Sequence, residues 1–275
     1  MAHIIVLTNQ KGGVGKTTTS AALIADLAKK QKRVLGIDMD PQGNLGFSFG
    51  VDIENGNTLF EALNGTTTIF DTIQRTDGVD IISSNILLSG AGEILKGENR
   101  ELKLKNLLKP VERFYDYIII DTPPSFNILT LNGYSAADYI IIPMSAEILS
   151  LVGLTQIKET YDTIRETVNP DLKVMGIVMT RFDSRRSLSW EVKEMAESVA
   201  KQMKTKVFDT VIRSSVTVAE APAHGQNIFD YAPRSNAARE YKAFVQEVLK
   251  ITEGGTEASN TAGNEGGTED GEEDQ

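Results

Sequence analysis

There is no cysteine among the 275 residues. Disulfides, zinc–thiolate centres and cysteine-ligated iron–sulfur clusters are therefore excluded. No apolar run approaches the ~20 residues that a membrane-spanning helix needs. Met1 leads almost directly into the short apolar run 4–7, with no basic segment ahead of a long apolar one, so a secretory leader is not expected. Positive charge is also in the minority: 28 Lys and Arg face 38 Asp and Glu, a formal charge of −10. Taken as a whole, that balance argues against a nucleic-acid partner. The deficit is unevenly spread, however. Residues 252–275 hold eight acidic side chains and no basic one, which leaves residues 1–251 at −2. The acidic character belongs mainly to a C-terminal stretch and excludes nothing for the rest of the chain. A cytoplasmic location is the expectation.

The chain is 40% hydrophobic, enough for a sizeable core. Short apolar runs at 4–7, 34–37, 79–83, 117–120, 139–143 and 174–179 read as strands buried on both faces. Helical patterns occupy 17–30, 102–108, 148–168, 187–204 and 236–251. This alternation predicts an α/β fold, a doubly wound and mostly parallel sheet flanked by helices. No internal linker is evident, so residues 1–251 are expected to form one domain. From Thr252 onward Gly, Thr, Asn and acidic residues dominate. Such a segment buries too little apolar surface to offset its ordering entropy, and 252–275 is expected to be a disordered acidic tail. Its simplest role is to keep the chain soluble; an interaction or autoinhibitory role is the alternative.

Directly after the first strand comes Lys11-Gly12-Gly13-Val14-Gly15-Lys16-Thr17-Thr18, and then a helix. Glycines let backbone N–H groups turn inward around phosphates, and the following helix presents its positive dipole end. In such a loop Lys16 reaches the β- and γ-phosphates of a nucleotide and the Thr17 hydroxyl ligates Mg²⁺. The usual phosphate-loop template begins with glycine; Gln10 stands there instead, followed by the additional Lys11. The second strand ends in Asp38-Met39-Asp40-Pro41-Gln42-Gly43-Asn44, and another ends in Asp121-Thr122-Pro123-Pro124. In a parallel sheet the C-terminal strand ends face the ligand, so these carboxylates fall where metal and water must be managed. Asp121, closing an apolar strand, is the expected Mg²⁺ partner, through a water.

The run Lys-Gly-Gly-Val-Gly-Lys-Thr-Thr resembles the deviant Walker A motif of the ParA/MinD family of P-loop ATPases. The resemblance covers nearly all of residues 1–251. It implies that Lys11 crosses to the nucleotide of a second subunit, giving a homodimer that sandwiches two ATP molecules. The Asp-x-Asp-Pro-Gln-Gly-Asn segment is similar to that of the ParA branch, which implies that Asp40 helps to position water and that Asp38 lies near the metal; anchoring of the loop is the other reading of Asp38. Val216–Gly225 resembles the family's Glu-Ala-Pro-x-His-Gly segment, and with it adenine is expected near Thr180, Arg181 and Pro222, with His224 structural.

Branches of the family can be told apart. MinD-like members end in a basic membrane-binding helix, whereas this chain ends in acid, so no membrane partner is expected. The chain resembles the ParA/Soj partitioning ATPases. It has no room ahead of Lys11 for the helix-turn-helix domain of the large plasmid forms. The resemblance implies a slow intrinsic ATPase, non-specific DNA binding on the nucleoid by the ATP dimer, and a centromere-binding partner of ParB type that stimulates hydrolysis. A MinD-like spatial regulator of a protein cargo is the alternative. Residues 181–213 hold eight basic side chains against five acidic ones, and Arg185, Arg186 and Arg213 are the candidate phosphate contacts.

Overall fold

The computed structural model describes residues 1–261 apart from 54 and 77, with side chains described up to 254. The chain runs β1 (His3–Leu7), α1 (Lys16–Lys29), β2 (Val34–Asp38), α2 (Asn44–Phe47), α3 (Leu59–Asn64), β3 (Ile73–Thr76), β4 (Val79–Ile82), α4 (Ala91–Ile94) and α5 (Lys103–Leu108). It continues with β5 (Tyr117–Asp121), α6 (Ile128–Ala136), β6 (Tyr139–Ser145), α7 (Ile148–Thr167), β7 (Lys173–Phe182), α8 (Ser187–Gln202) and β8 (Val207–Arg213). The short helices α9 (Val216–Glu220) and α10 (Ile228–Tyr231) then lead into α11 (Asn236–Thr261).

The strands form one eight-stranded sheet in the order β3-β4-β2-β5-β1-β6-β7-β8. β3 and β4 pair antiparallel, and the other neighbours pair parallel. The expected doubly wound α/β architecture is present. The strand patterns explain it. In β1, Ile4 and Val6 face one core while Ile5 and Leu7 face the other; in β5, Ile118 and Ile120 oppose Tyr117 and Ile119 in the same way. With both faces covered, every residue of these strands is apolar or nearly so. Leu154, Ile157, Tyr161 and Ile164 of α7 cover the first face. Leu23, Ile24 and Leu27 of α1, with Tyr241, Phe244 and Val248 of α11, cover the second.

The sequence reading misses β3, β8 and α6, and it ends the last helix too early. α11 runs to Thr261 rather than to 251. Thr252 is buried and its hydroxyl lies 2.8 Å from that of Tyr117, while Glu253 pairs with Lys32 at 2.6 Å. The packed domain therefore continues past residue 251, and a truncation placed there would remove native contacts. Residues 262–275, the greater part of the expected acidic tail, lie outside the described residues.

Parallel β7 and β8 pack closely at one point. A side chain at Gly176 would put its Cβ 2.6 Å from the ring of Phe208, which is fully buried and held edge-on against Phe244 at 5.0 Å between centroids. Gly176→Ala should lower stability by about 1–3 kcal/mol through overpacking. Urea unfolding checks this, and a midpoint equal to that of the parent would show that the ring moves aside without cost.

Candidate functional site

The phosphate loop sits between β1 and α1, where the sequence places it. Gly13 and Gly15 adopt φ of +73° and +83°, a left-handed conformation that a side chain would strain. Gly15 occupies the N-cap of α1 without a side-chain cap, so the first N–H groups of the helix face the loop. Neighbouring strands hold the loop in shape. Buried Asn9 donates to the Pro143 carbonyl at 2.8 Å and accepts from the Lys11 N–H at 2.9 Å. Thr180 Oγ1 donates to the Val14 carbonyl at 2.7 Å, and Arg181 Nη1 to the Gly13 carbonyl at 3.3 Å. Thr180 is thus a fastener of the loop as well as a wall of the site.

Lys16 is buried at 6% exposure and donates to the Lys11 carbonyl at 3.3 Å. Burial pulls its ammonium below the usual lysine range, while Asp121 and Asp40 pull it the other way. Among the described residues no carboxylate forms an ion pair with it. Thr17 Oγ1 and Ser20 Oγ donate to the two oxygens of Asp121 at 2.6 and 2.7 Å. Asp121 is fully buried, and its carboxyl is pushed up to about 6 by that burial, against the two hydroxyl bonds and the Lys16 charge. Ser20, which the sequence reading overlooks, lies one helical turn after Lys16 and so shares its face of α1.

Asp38 pairs in register with Asp121 across β2 and β5 and is also fully buried. Burial first, and then the Asp121 charge, hold its carboxyl well above the usual range. Its two oxygens accept from the N–H groups of Asp40 and Leu45, both at 2.9 Å. Both oxygens of Asp38 are thereby engaged in holding the loop that follows β2. Asp40 stands at the rim, 9% exposed, with Oδ1 accepting from the Gln42 N–H at 3.1 Å.

Lys11 reaches across to the start of α7 in the same chain. Its ammonium is 2.5 Å from Glu147 Oε2 and 3.4 Å from Ser150 Oγ, and it holds the Glu147 carboxyl below its usual range. Beside the loop a cleft of about 320 Å³ opens, lined by Thr18, Thr180, Arg181, Ile212, Val218 and Tyr241 among others. Pro222 is not part of it; the short turn Ala221–His224 that carries it follows α9, whose Val218 and Ala219 form the wall instead. Exposed His224 stacks on Tyr231 at 5.0 Å and stands apart from the cleft. Two wider clefts of about 590 and 670 Å³ lie beside Lys29–Arg33, at the opposite end of the strands from Lys16 and Asp121.

Hard oxygen donors suit Mg²⁺, which binds through one or two protein oxygens plus phosphates. Thr17 and Asp121 supply such a pair. No cluster of three or more acidic or histidine ligands occurs among the described residues, so the donor set fits a phosphate-bound ion better than a caged one. The three candidate DNA arginines lie at the same end of the sheet, since Phe182 pairs with Arg213 across β7 and β8 and the 183–186 loop follows directly. Each carries an acidic partner, however: Asp183 for Arg185 at 3.0 Å and for Arg186 at 3.4 Å, and Glu240 for Arg213.

The raised value for Asp121 has a stability consequence. Its folded-state value of about 6 lies above the unfolded one near 3.8. The associated stability is full below the unfolded value and is lost as pH rises through the folded one. Asp121→Asn, which mimics the neutral form, should therefore be more stable than the parent at neutral pH, by up to about 3 kcal/mol. The gap should close toward pH ~4. Urea unfolding at both ends of that range checks it; a gap independent of pH would remove the titration of Asp121 as its cause.

A family model described as an AAA domain matches residues 2–174. The chain is 39% identical to the chromosome partitioning protein ParA of Myxococcus xanthus, over 91% of this chain and 89% of the relative. It is 41% identical to the sporulation initiation inhibitor protein Soj of Bacillus subtilis, over 90% and 98%. Among solved structures it is similar to a cobyrinic acid a,c-diamide synthase from Mycobacterium smegmatis with bound ATP analog and magnesium. That likeness has a TM-score of 0.81 at 34% identity, over 93% of this chain and 97% of the other. Loop, sheet order, carboxylate positions and these relatives agree, and the chain belongs to the ParA/Soj family of P-loop partitioning ATPases.

Proposed function

We propose that the chain is an ATP-dependent DNA-partitioning ATPase that works as a nucleotide-sandwich homodimer. The observation that carries this reading is the buried Lys16 ammonium, which has a backbone carbonyl but, among the described residues, no carboxylate as partner. A buried cation of this kind calls for an anion, and the capless end of α1 and the two left-handed glycines shape the space for phosphates. Mg²⁺ held by the Thr17 hydroxyl, with Asp121 acting through water, would neutralise charge on the β- and γ-phosphates. Asp40, at the rim and fixed by the loop that Asp38 anchors, orients the attacking water. Such catalysis is positioning and charge neutralisation, without a covalent intermediate. With Lys11 turned away toward Glu147, one subunit alone lacks its second cation at the γ-phosphate, and intrinsic turnover is slow.

Dimerisation changes the partner of Lys11. Ile148, Leu149 and Val152 on the first turns of α7 are 57%, 73% and 57% exposed, next to Glu147. This apolar strip beside the loop is the surface on which a second copy docks, so that Lys11 exchanges Glu147 for the facing nucleotide. The dimer then binds DNA without sequence preference on the nucleoid, and a ParB-like partner stimulates hydrolysis. No helix among the described residues is long and apolar enough to cross a membrane.

Size analysis with ATP and Mg²⁺ tests the model. The Asp40→Ala variant should accumulate as a dimer that holds DNA, and Lys11→Ala should stay monomeric. Glu147→Gln removes an exposed ion pair worth at most ~1 kcal/mol in each subunit, so it should tighten the dimer by up to about 30-fold. A Lys11→Ala chain that dimerises like the parent would overturn the role given to this lysine.

A further inference from the structure

The arginines offered by the sequence for DNA contact would each have to exchange a carboxylate for a phosphate. Cations without such partners lie elsewhere. Between 100 and 113 the chain carries Arg100, Lys103, Lys105, Lys109 and Arg113 against only Glu101 and Glu112. None of the five basic side chains forms an ion pair among the described residues. In a chain whose net charge is −10, this segment is locally positive by three.

Packing arranges these cations in a row. Leu104, Leu108 and Val111 are fully buried, at the i, i+4, i+7 spacing that turns one face of a helix toward the core. Arg100, Lys103, Asn106, Lys109 and Arg113 are left exposed on the other side, at steps of three to four residues. The 3₁₀ turn Arg100–Leu102 leads directly into α5, and the 3₁₀ turn Glu112–Phe114 follows it after the turn 109–111, so the row continues beyond the helix itself. Lys109 donates to Asn106 Oδ1 at 2.9 Å, and the Arg113 guanidinium lies 4.8 Å from the centre of the Phe114 ring. Neither contact neutralises a charge. At ~1.5–2.0 Å per residue the row spans about 20–26 Å. Along a duplex rising ~3.4 Å per base pair, that is about six to eight base pairs.

We propose that Arg100, Lys103, Lys109 and Arg113 form a binding surface for the phosphate backbone of duplex DNA, distinct from the arginines at 185, 186 and 213. The proposal rests on the DNA-binding reading above and assigns it a second surface. A protein partner would be expected to find an apolar anchor at the centre of its interface. Exposed Phe114 and Phe70 stand at one end of the row, but no large apolar side chain is exposed between Leu87 and Phe114, so the centre of the row offers no such anchor. A linear polyanion needs only evenly spaced long cations, and that is what the row offers. Such contacts are indifferent to sequence and sensitive to salt.

The test uses the full chain with ATP and Mg²⁺, random-sequence duplex DNA and a range of salt concentrations. The variant combines Arg100→Gln, Lys103→Gln, Lys109→Gln and Arg113→Gln. These positions lie outside the nucleotide site, so unchanged ATP binding reports that the variant folds. The slope of log affinity against log salt should become shallower by about three. A second variant, with Arg and Lys exchanged for one another at the same four positions, should keep the parent slope. A neutral variant that binds DNA with the parent slope overturns the proposal. So does one that keeps that slope but loses binding of poly-L-glutamate, because the row would then serve an acidic polypeptide. If the parent chain itself shows no ATP-dependent DNA binding, the underlying reading fails instead.

Discussion

The two hydroxyl bonds to Asp121 fix the relation between helix and sheet on which the site depends. Thr17 and Ser20 belong to the opening turns of α1, and Asp121 closes β5 in the middle of the sheet. Tying them together sets where α1 starts, and with it the loop that Gly13 and Gly15 shape. A fully buried carboxylate is costly unless its lone pairs are met. Here one of the compensating donors, Thr17, is also the hydroxyl proposed to hold Mg²⁺, so folding and the proposed function call on the same group. Asp38 repeats the arrangement one strand away with backbone donors, and thereby places Asp40 at the rim.

The core of the fold was legible because β1, β2, β5 and β6 are buried on both faces and therefore read as unbroken apolar runs. The edges were not. β3 reads Ile-Gln-Arg-Thr, and β8 interrupts its apolar residues with Asp209, Thr210 and Arg213, because an edge strand keeps one side toward solvent or a helix. α6 is buried nearly all round, its Thr130, Asn132 and Ser135 included, and so shows no amphipathic period, and it hid between two strands. The end of α11 was misjudged because glycine and acid were read as disorder, while Thr252 and Glu253 were recruited by partners distant in sequence, Tyr117 and Lys32.

The site divides in the same way. The loop, Thr17 and Asp121 follow from local spacing, which a motif encodes. Ser20, Asn9 and Tyr241 contribute through contacts between segments far apart in the chain, and no local pattern marks them. The basic residues show the limit most plainly. Sequence counts cations, but only the fold shows which of them already face a carboxylate, as Arg213 does with Glu240 and as the residues along α5 do not.

α11 has a mechanical consequence. Near its start, Tyr241 lines the cleft beside the phosphate loop, with its hydroxyl 3.5 Å from Thr19 Oγ1. Twelve residues later, about 18 Å along the axis, Glu253 grips Lys32 just before β2 enters the sheet. A helix resists bending far more than a loop does. Any tilt imposed on Tyr241 by an occupant of the cleft would therefore be delivered at the opposite pole of the molecule, as a lever transmits a small displacement past its pivot. The acidic sequence beyond Thr261 is attached to the far arm of that lever.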